Sequence, residues 1–187
     1  MSLTLVTAPT SEPVSLSEMK SHMRLDGNDD DSYVTKCIKA ARQWIEGQTK
    51  RALVTQTVDY AIDSNWPMWN GLPMIRLPLN PVASVSSITY VDSNGTSQTL
   101  ATSQYTVAAR THGSYIVPAY GVTWPSVRDV PEAITVQFVA GSATVDEDLK
   151  IAVKILATYY YENRETSSGA PRAVEALISP YRSVLFL

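Results

Sequence analysis

The sequence predicts an α+β protein: a helical bundle around one long helix at about 146–165, with an inserted small antiparallel β domain. Apolar residues recur every three or four positions near both ends of the chain, as on a helix face, and every second position in the middle, as in strands. Turn-forming Ser, Asn and Gly residues separate the strand-like segments. We therefore predict a discontinuous helical domain at 1–51 plus 141–187 and an inserted β subdomain at 52–140.

Composition places the chain among globular proteins with a sizeable core. It has 187 residues, of which 44% are hydrophobic and 18% are charged. Its one cysteine, Cys37, excludes an internal disulfide framework and a multi-cysteine zinc site, and it fits a reducing compartment. The first residues lack a basic region, and no window approaches the ~18 apolar residues of a membrane span. We expect a soluble protein that is made in the cytoplasm, uses no cofactor and does not enter a membrane.

The charges are spread evenly along the chain, which has a formal net charge of -3. Acids and bases number 7 and 7 in residues 1–51, 5 and 3 in 52–140, and 6 and 5 in 141–187. Proteins that bind DNA tightly cluster Lys and Arg, because these side chains displace the counterions of the phosphates. None of the three segments has such a cluster. We therefore predict no sequence-specific or tight binding to DNA.

Two helices are predicted in the first 51 residues. Ser15 and Glu18 form a capping box that begins the first helix, which ends near Gly27. The second helix runs from about 30 to 50 and is expected to pack against the helix at 146–165. Its apolar stripe at helical spacing comprises Val34, Cys37, Ile38, Ala41, Trp44 and Ile45. Cys37 lies within this stripe, so we interpret it as a small core residue rather than a nucleophile.

The acidic segment between these helices invites a calcium interpretation. Asp26, Asn28 and Asp30 stand at the first three ligand positions of an EF-hand loop. The sixth position, which needs Gly, holds Asp31, and the twelfth, which needs Glu, holds Cys37. We therefore predict a polar loop that ends in a helix N-cap, and no metal site.

The middle of the chain predicts five to seven strands. Residues 54–62 alternate between apolar and polar. The clearest hairpin joins 85–91 to 96–100 through Asn94 and Gly95, because Asn-Gly accepts the positive φ angles of a tight turn. The segment 75–78 is predicted as a short edge strand, since its proline cannot donate to a central ladder. The remaining predicted strands are 105–107, 114–117 and 134–139.

The helix at about 146–165 is predicted to begin with a capping box formed by Thr144 and Glu147. At about 100° per residue, its apolar side chains cover an arc of roughly 240°. An arc of about 100° is enough to dock on one core. We therefore expect this helix to be covered on two sides, either at the centre of its own domain or partly by a neighbouring subunit.

The chain is predicted to finish with a short helix and an apolar terminus. The helix begins at Pro171 and ends at Pro180. Four large apolar residues close the chain: Val184, Leu185, Phe186 and Leu187. An apolar terminus without a polar cap is either tucked into its own core or presented to a partner.

The sequence offers few residues for catalysis. His22 and His112 have no second His, Cys or carboxylate at ligand spacing, and the common nucleophile, zinc and phosphate-loop motifs are missing. A hydrolase built from carboxylates distant in sequence stays open as a minor alternative. Trp66, Trp69 and Trp124 could form a platform that stacks on a sugar, but we favour a role in filling the loops of the β domain. We predict that the protein is not an enzyme.

Several segments together resemble a known family. They are P-V-S-L-S-E-M-K-S-H-M-R-L-D at 13–26, R-A-L-V-T-Q-T at 51–57, I-R-L-P-L-N-P-V-A-S-V-S-S-I-T-Y-V-D at 75–92 and Y-Y-Y-E-N-R-E at 159–165. In order and spacing they resemble the tailed-phage head-to-tail connector proteins, also called adaptor or head-completion proteins, in the branch with a β insertion between helices. The resemblance covers nearly the whole chain.

This resemblance implies a structural phage or prophage protein of the virion, at the head-tail junction, made in the cytoplasm of a bacterial host. It implies a homo-oligomeric ring of about twelve copies. Portal protein of the filled head and a tail-completion protein are the implied partners, and DNA passes through a central channel without specific binding. The family supplies no catalytic, cofactor-binding or metal-binding residues to carry over.

We place the hypothesised interface on the helix at 146–165 and on the chain terminus. Its residues are Ile151, Ile155, Tyr159, Val184, Leu185, Phe186 and Leu187. The alternative function is a phage tail or accessory binding module whose Trp-rich β domain recognises a glycan or a receptor.

Overall fold

A computed structural model describes residues 1–63, 65–69, 71–110, 113–163 and 169–182. The predicted α+β class is confirmed, because the chain combines helices with antiparallel sheets. It divides into two compact units. The β unit comprises Met1–Ala8 with Thr55–Gly141, and the helical unit comprises Pro9–Val54 with Ser142–Leu187. The predicted division into separate domains stays a prediction.

The strands in the described part of the chain all lie in the β unit. They are β1 (Ser2–Thr7), β2 (Gln56–Ile62), β3 (Met68–Trp69), β4 (Leu72–Pro73), β5 (Ile75–Arg76), β6 (Val82–Val91), β7 (Ser97–Thr99), β8 (Tyr105–Ala108), β9 (Tyr115–Pro118) and β10 (Ile134–Ala140). They form a five-stranded sheet in the order β1-β2-β10-β6-β7, a three-stranded sheet in the order β5-β9-β8, and the β3–β4 pair. The prediction of five to seven strands was therefore too low.

The five-stranded sheet has one apolar and one polar face, as its period-2 pattern predicts. Phe138 of β10 lies opposite Val58 of β2, and both are buried. On the other face Gln137 lies opposite Asp59, and the Gln137 amide donates to the Asp59 carboxylate at 2.9 Å. The predicted hairpin is confirmed as β6 and β7, with Gly95 at a φ of 85° in the turn.

Strand β1 corrects the prediction for the first residues, which placed 1–8 with the helical part. In the structure β1 pairs antiparallel with β2, with Leu3 opposite Tyr60 and Leu5 opposite Val58. The alternation of apolar and polar residues breaks at Leu5-Val6, so the period-2 pattern alone does not predict this strand. The strand forms because β2, which begins at Gln56, offers it a free edge.

The helical unit contains α1 (Leu16–Met23), α2 (Asp31–Thr49), α3 (Glu147–Glu162) and α4 (Arg172–Ile178) within the described residues. Helix α3 contacts α1, α2 and α4. At 16 residues it is shorter than α2, which has 19. Cys37 is buried in the core between these helices, as predicted. None of the helices described is both long and apolar enough to cross a membrane.

One of the two predicted capping boxes is present. The Glu18 amide donates to Ser15 Oγ at 3.3 Å, and the Ser15 amide donates to the Glu18 carboxylate at 2.9 Å. The second capping box, at Thr144, was wrong. Helix α3 takes Asp146 as its N-cap. The Thr144 amide instead donates to Ser142 Oγ at 3.2 Å, while the Glu147 carboxylate pairs with Lys150 at 2.6 Å.

A buried ion network ties α2 to the segments on either side of the first two helices. The Arg42 side chain, in a residue only 3% exposed, donates to Glu12 at 2.6 Å and to Glu46 at 2.7 Å. The other Glu46 oxygen accepts from the Leu53 amide at 2.8 Å. Burial raises the pKa of Glu46 above its ordinary value, while the Arg42 charge and the Leu53 hydrogen bond oppose the rise.

Replacing Arg42 with Met should destabilise the protein by about 3 kcal/mol at pH 7.5, because it leaves the buried Glu46 carboxylate without its counter-charge. The raised folded-state pKa of Glu46 should rise further. A carboxyl whose pKa is higher when folded stabilises the protein below its unfolded pKa and loses that stabilisation as the pH rises through the folded value. Urea unfolding at pH 5 should therefore recover part of the loss.

The matched control is Lys39→Met, which removes an exposed cation from the same helix. It should change the free energy of unfolding by at most about 0.5 kcal/mol at either pH. If Arg42→Met lowered the free energy of unfolding by the same amount at both pH values, the electrostatic explanation would be contradicted.

Candidate assembly interface

The solvent side of α3 carries an apolar ridge. Ile151 is 43% exposed, whereas Leu149, Val153 and Leu156 on the opposite side are buried in the helical core. Helical spacing places Ile151 and Ile155 in one row, one turn apart. Of these two residues Ile151 is the exposed one, and an exposed apolar side chain next to a half-buried one is a surface that another molecule can cover.

The structure brings together three of the predicted interface residues. Ile151, Ile155 and Tyr159 follow each other at intervals of four along α3. Ile151 is exposed, while Ile155 and Tyr159 are half-buried and also pack against the helical core. The other four predicted residues, at 184–187, lie outside the described residues. The interface as a whole stays a prediction.

The buried side of α3 accounts for part of its predicted apolar arc. The fully buried residues run from Ala152 to Ala157 around the helix and span about 140° at 100° per residue. The half-buried Ile155 and Tyr159 and the exposed Ile151 extend the apolar surface beyond this arc. The helical unit therefore covers one side of α3 and leaves the ridge at the edge of its core.

Two acids flank the ridge. Asp148 lies near its start and Glu162 near its end, and both are exposed. Within the described part of the chain neither acid forms an ion pair, whereas the neighbouring Glu147 pairs with Lys150 at 2.6 Å. We name the surface formed by Asp148, Ile151, Ile155, Tyr159 and Glu162 the α3 outer face. It combines apolar side chains with two unpaired negative charges.

The acidic loop between α1 and α2 is occupied by a lysine side chain. The Lys20 ammonium donates to the Gly27 carbonyl and, at 2.8 Å, to the Asn28 side-chain oxygen. It also pairs with the Asp31 carboxylate at 2.7 Å. The cation that this loop binds is therefore its own lysine. In the described residues no group of three His, Cys, Asp or Glu side chains could hold a metal ion.

The three tryptophans proposed for a sugar platform each have one ring face covered by the protein. The rings of Trp66 and Trp124 stack on each other, with 4.5 Å between their centroids and an interplanar angle of 12°. The Trp66 indole N–H donates to the Pro125 carbonyl at 2.7 Å. Arg76 lies 4.5 Å over the ring of Trp69. This arrangement fits the favoured interpretation, in which these residues fill the loops of the β unit.

Sequence reasoning missed a second uncovered surface, at the edge of the five-stranded sheet. Strand β1 is the end strand, and only β2 pairs with it in the described part of the chain. Leu5 is 51% exposed, and Met1, Leu3 and Val6 are exposed as well. The partial alternation of S-L-T-L-V-T carries the signal, but only the pairing with β2 shows that these residues form an edge.

The chain matches a family model and several solved structures. The model for head completion proteins matches residues 12–172. A chain from the neck of an empty gene transfer agent particle, computed with C6 symmetry, is 28% identical with a TM-score of 0.82. A chain from the virion of the native particle is 29% identical with a TM-score of 0.81. A chain from the neck of the native particle, computed with C12 symmetry, is 29% identical with a TM-score of 0.80.

Each of these three alignments covers 100% of this chain and 98% of the other chain. The likeness therefore extends over both the helical and the β residues of the sequence. No curated protein matches the chain.

Replacing Leu156 with Asp should unfold the protein, whereas Ile151→Asp should not. Leu156 is fully buried, so an unpaired charge there should cost roughly 4 kcal/mol or more, against a total stability of about 5–15 kcal/mol. The exposed Ile151 site should change the free energy of unfolding by about 0.5 kcal/mol. Thermal melts of the two variants test this pair. A cooperative melt of Leu156→Asp near the wild-type temperature would show that α3 is not part of the stable core.

Proposed function

Since this chain belongs to the head completion protein family, we propose that it forms a ring in the neck of a phage-like particle and connects the filled head to the tail. The family is structural and is not a family of enzymes. In this proposal the protein acts through contacts with its own copies and with neighbouring proteins. It is a component of the virion at the head-tail junction, made in the cytoplasm of a bacterial host.

The observation that carries the proposal is the match over the full length to chains from particle necks. Those neck structures were computed with C6 and C12 symmetry. Both symmetries are compatible with a ring of twelve copies, and we propose about twelve for this chain. A closed ring uses two different surfaces of each copy, because each copy contacts the next in a head-to-tail sense around the axis.

We propose that α3 is the helix around which the helical unit is organised, and that its outer face meets the neighbouring copy. Its contacts with α1, α2 and α4 support the first part. The exposed Ile151 beside the half-buried Ile155 and Tyr159 supports the second. The residues Val184 to Leu187 are proposed to dock on the adjoining ring, formed by the portal protein or by a tail-completion protein.

The charge distribution fits passage of DNA through the ring. The segment 52–140 has five acids and three bases, and the chain as a whole has a formal net charge of -3. Basic channel walls would bind phosphates and slow a sliding duplex, because each neutralised phosphate releases a counterion. A near-neutral, slightly acidic protein therefore suits a channel that DNA crosses without specific binding.

We expect the isolated protein to bind duplex DNA no more tightly than about 10⁻⁴ M at physiological salt, the weak end of non-specific binding. Fluorescence anisotropy with a labelled duplex at several salt concentrations measures this. A micromolar dissociation constant that weakens steeply with added salt would contradict the passive channel.

Deleting residues 184–187 should leave the protein folded but unable to join heads to tails. If these residues were buried in the core, their loss would remove roughly 1.5–3 kcal/mol for each large side chain and would lower the melting temperature. If they dock on the adjoining ring, the melting temperature should match the wild type while the number of joined particles falls.

A variant in which serines replace all four residues is the matched control, because it keeps the chain length and removes only the apolar side chains. It should behave like the deletion. Loss of thermal stability in both variants would contradict the docking role. Normal stability together with normal joining of heads to tails would contradict both the docking role and a role in the core.

A further inference from the structure

We propose that the α3 outer face of one copy packs against the solvent side of α2 in the next copy around the ring. This inference rests on the proposed ring and adds the second surface that a ring contact requires. It also assigns a direction, with the two helices antiparallel.

The solvent side of α2 is polar and basic, and it includes two small residues, Ala40 and Gly47. Lys36, Lys39, Ala40, Gln43 and Gly47 are exposed and share one side of the helix at 3.6 residues per turn. The opposite side carries the buried stripe that forms the helical core. We name these five residues, with Lys50 just beyond the last turn, the α2 outer face.

The two outer faces have complementary charges. The α3 outer face has the acids Asp148 and Glu162, whereas the α2 outer face has Lys36, Lys39 and Lys50. None of these residues forms an ion pair within the part of the chain that the structure describes. Complementary charges select the partner surface and disfavour contact between two copies of the same face.

The charges also have the same spacing on both helices. Fourteen residues separate Asp148 from Glu162, and fourteen separate Lys36 from Lys50. Along a helix this is about 21 Å at 1.5 Å per residue. When the charges are paired at both ends, the middle of α3 at Ile155 lies opposite the middle of α2 at Gln43.

Gly47 selects the antiparallel direction. With Glu162 opposite Lys36, the exposed Ile151 lies opposite Gly47, which has no side chain to exclude it. In the parallel direction, Ile151 would lie opposite Lys39. The antiparallel direction therefore places the apolar side chain on the flattest position of the α2 outer face.

The structure of the single chain gives no other reason for this glycine. A Cβ atom added to Gly47 would meet no atom within 4 Å, and Gly47 is not among the described residues with a positive φ. Glycine within a helix lowers its stability relative to alanine. Close approach of a neighbouring copy accounts for a residue that the isolated chain does not need.

Charge reversal tests the pairing of the two faces. The full-length wild type, the variant Lys36→Glu with Lys50→Glu, and the variant Asp148→Lys with Glu162→Lys are each mixed with portal protein, and the mass of the assembly is measured. Each variant alone should show at least a ten-fold lower fraction of rings. An equimolar mixture of the two variants should restore rings, because alternating copies again place opposite charges in contact.

The control variant, Arg24→Glu with Arg172→Glu, reverses two exposed bases of the helical unit that belong to neither outer face. It changes the net charge as much as the α2 variant does and should form rings normally. Rings in both single variants, or no rings in their mixture, would overturn the inference. If the wild type itself forms no ring, the proposed function fails too, so the two failures are distinguishable.

Disulfide trapping tests the register independently, including in a case where a charge-reversed variant does not fold. A variant that carries both Ile151→Cys and Gly47→Cys is assembled into rings in the same way as the wild type. On oxidation it should give a ladder of covalent multimers, while each single change should give none. The pair Ile151→Cys with Lys39→Cys reports the parallel direction and should give at most a tenth as much. A ladder from the second pair alone, or from neither pair, would overturn the proposed contact.

Discussion

The contact between α2 and α3 is the interaction on which the helical unit depends. It joins two parts of the chain that are separated by Thr55–Gly141 of the β unit, and it buries Val34 and Ile38 of α2 with Val153 and Leu156 of α3 in one core. The buried residues of α3 lie on one side of the helix. The other side carries an apolar residue, Ile151, that remains exposed in the single chain. The same two helices therefore hold the unit together and supply the surfaces through which we propose that copies meet.

The distribution of charged residues is consistent with the proposed contact between the α2 and α3 outer faces. The most buried ion pairs in the described residues are those of Arg42 with Glu12 and Glu46, and that of Lys20 with Asp31 in the acidic loop before α2. These cations are used within the chain, whereas the acids of the α3 outer face and the lysines of the α2 outer face have no ion-pair partner among the described residues. In the proposed ring, the lysines of the α2 outer face would pair with the acids of the next copy and would not form a basic surface open to the duplex.

Features encoded by neighbouring residues were predictable from the sequence. The Ser15 capping box, the Asn94-Gly95 hairpin and the core position of Cys37 depend on spacings of a few residues, and the structure has all three. Features decided by distant partners were not. Strand β1 exists because β2 offers it an edge, and the capping box at Thr144 does not form because Ser142 and Lys150 take its groups. The wide apolar arc of α3 predicted an apolar surface outside its own core. The α2 outer face could be identified only once the structure showed which residues of α2 are exposed.

We propose that this protein forms a closed ring at the junction of head and tail. A reconstruction of the neck of particles that carry this chain, made without imposed symmetry, tests the claim most directly. We predict a single ring of about twelve copies between the portal and the tail, with adjacent copies joined through the helical unit. Single copies bound at separate positions would contradict the proposal, and so would a neck that contains no ring of this protein.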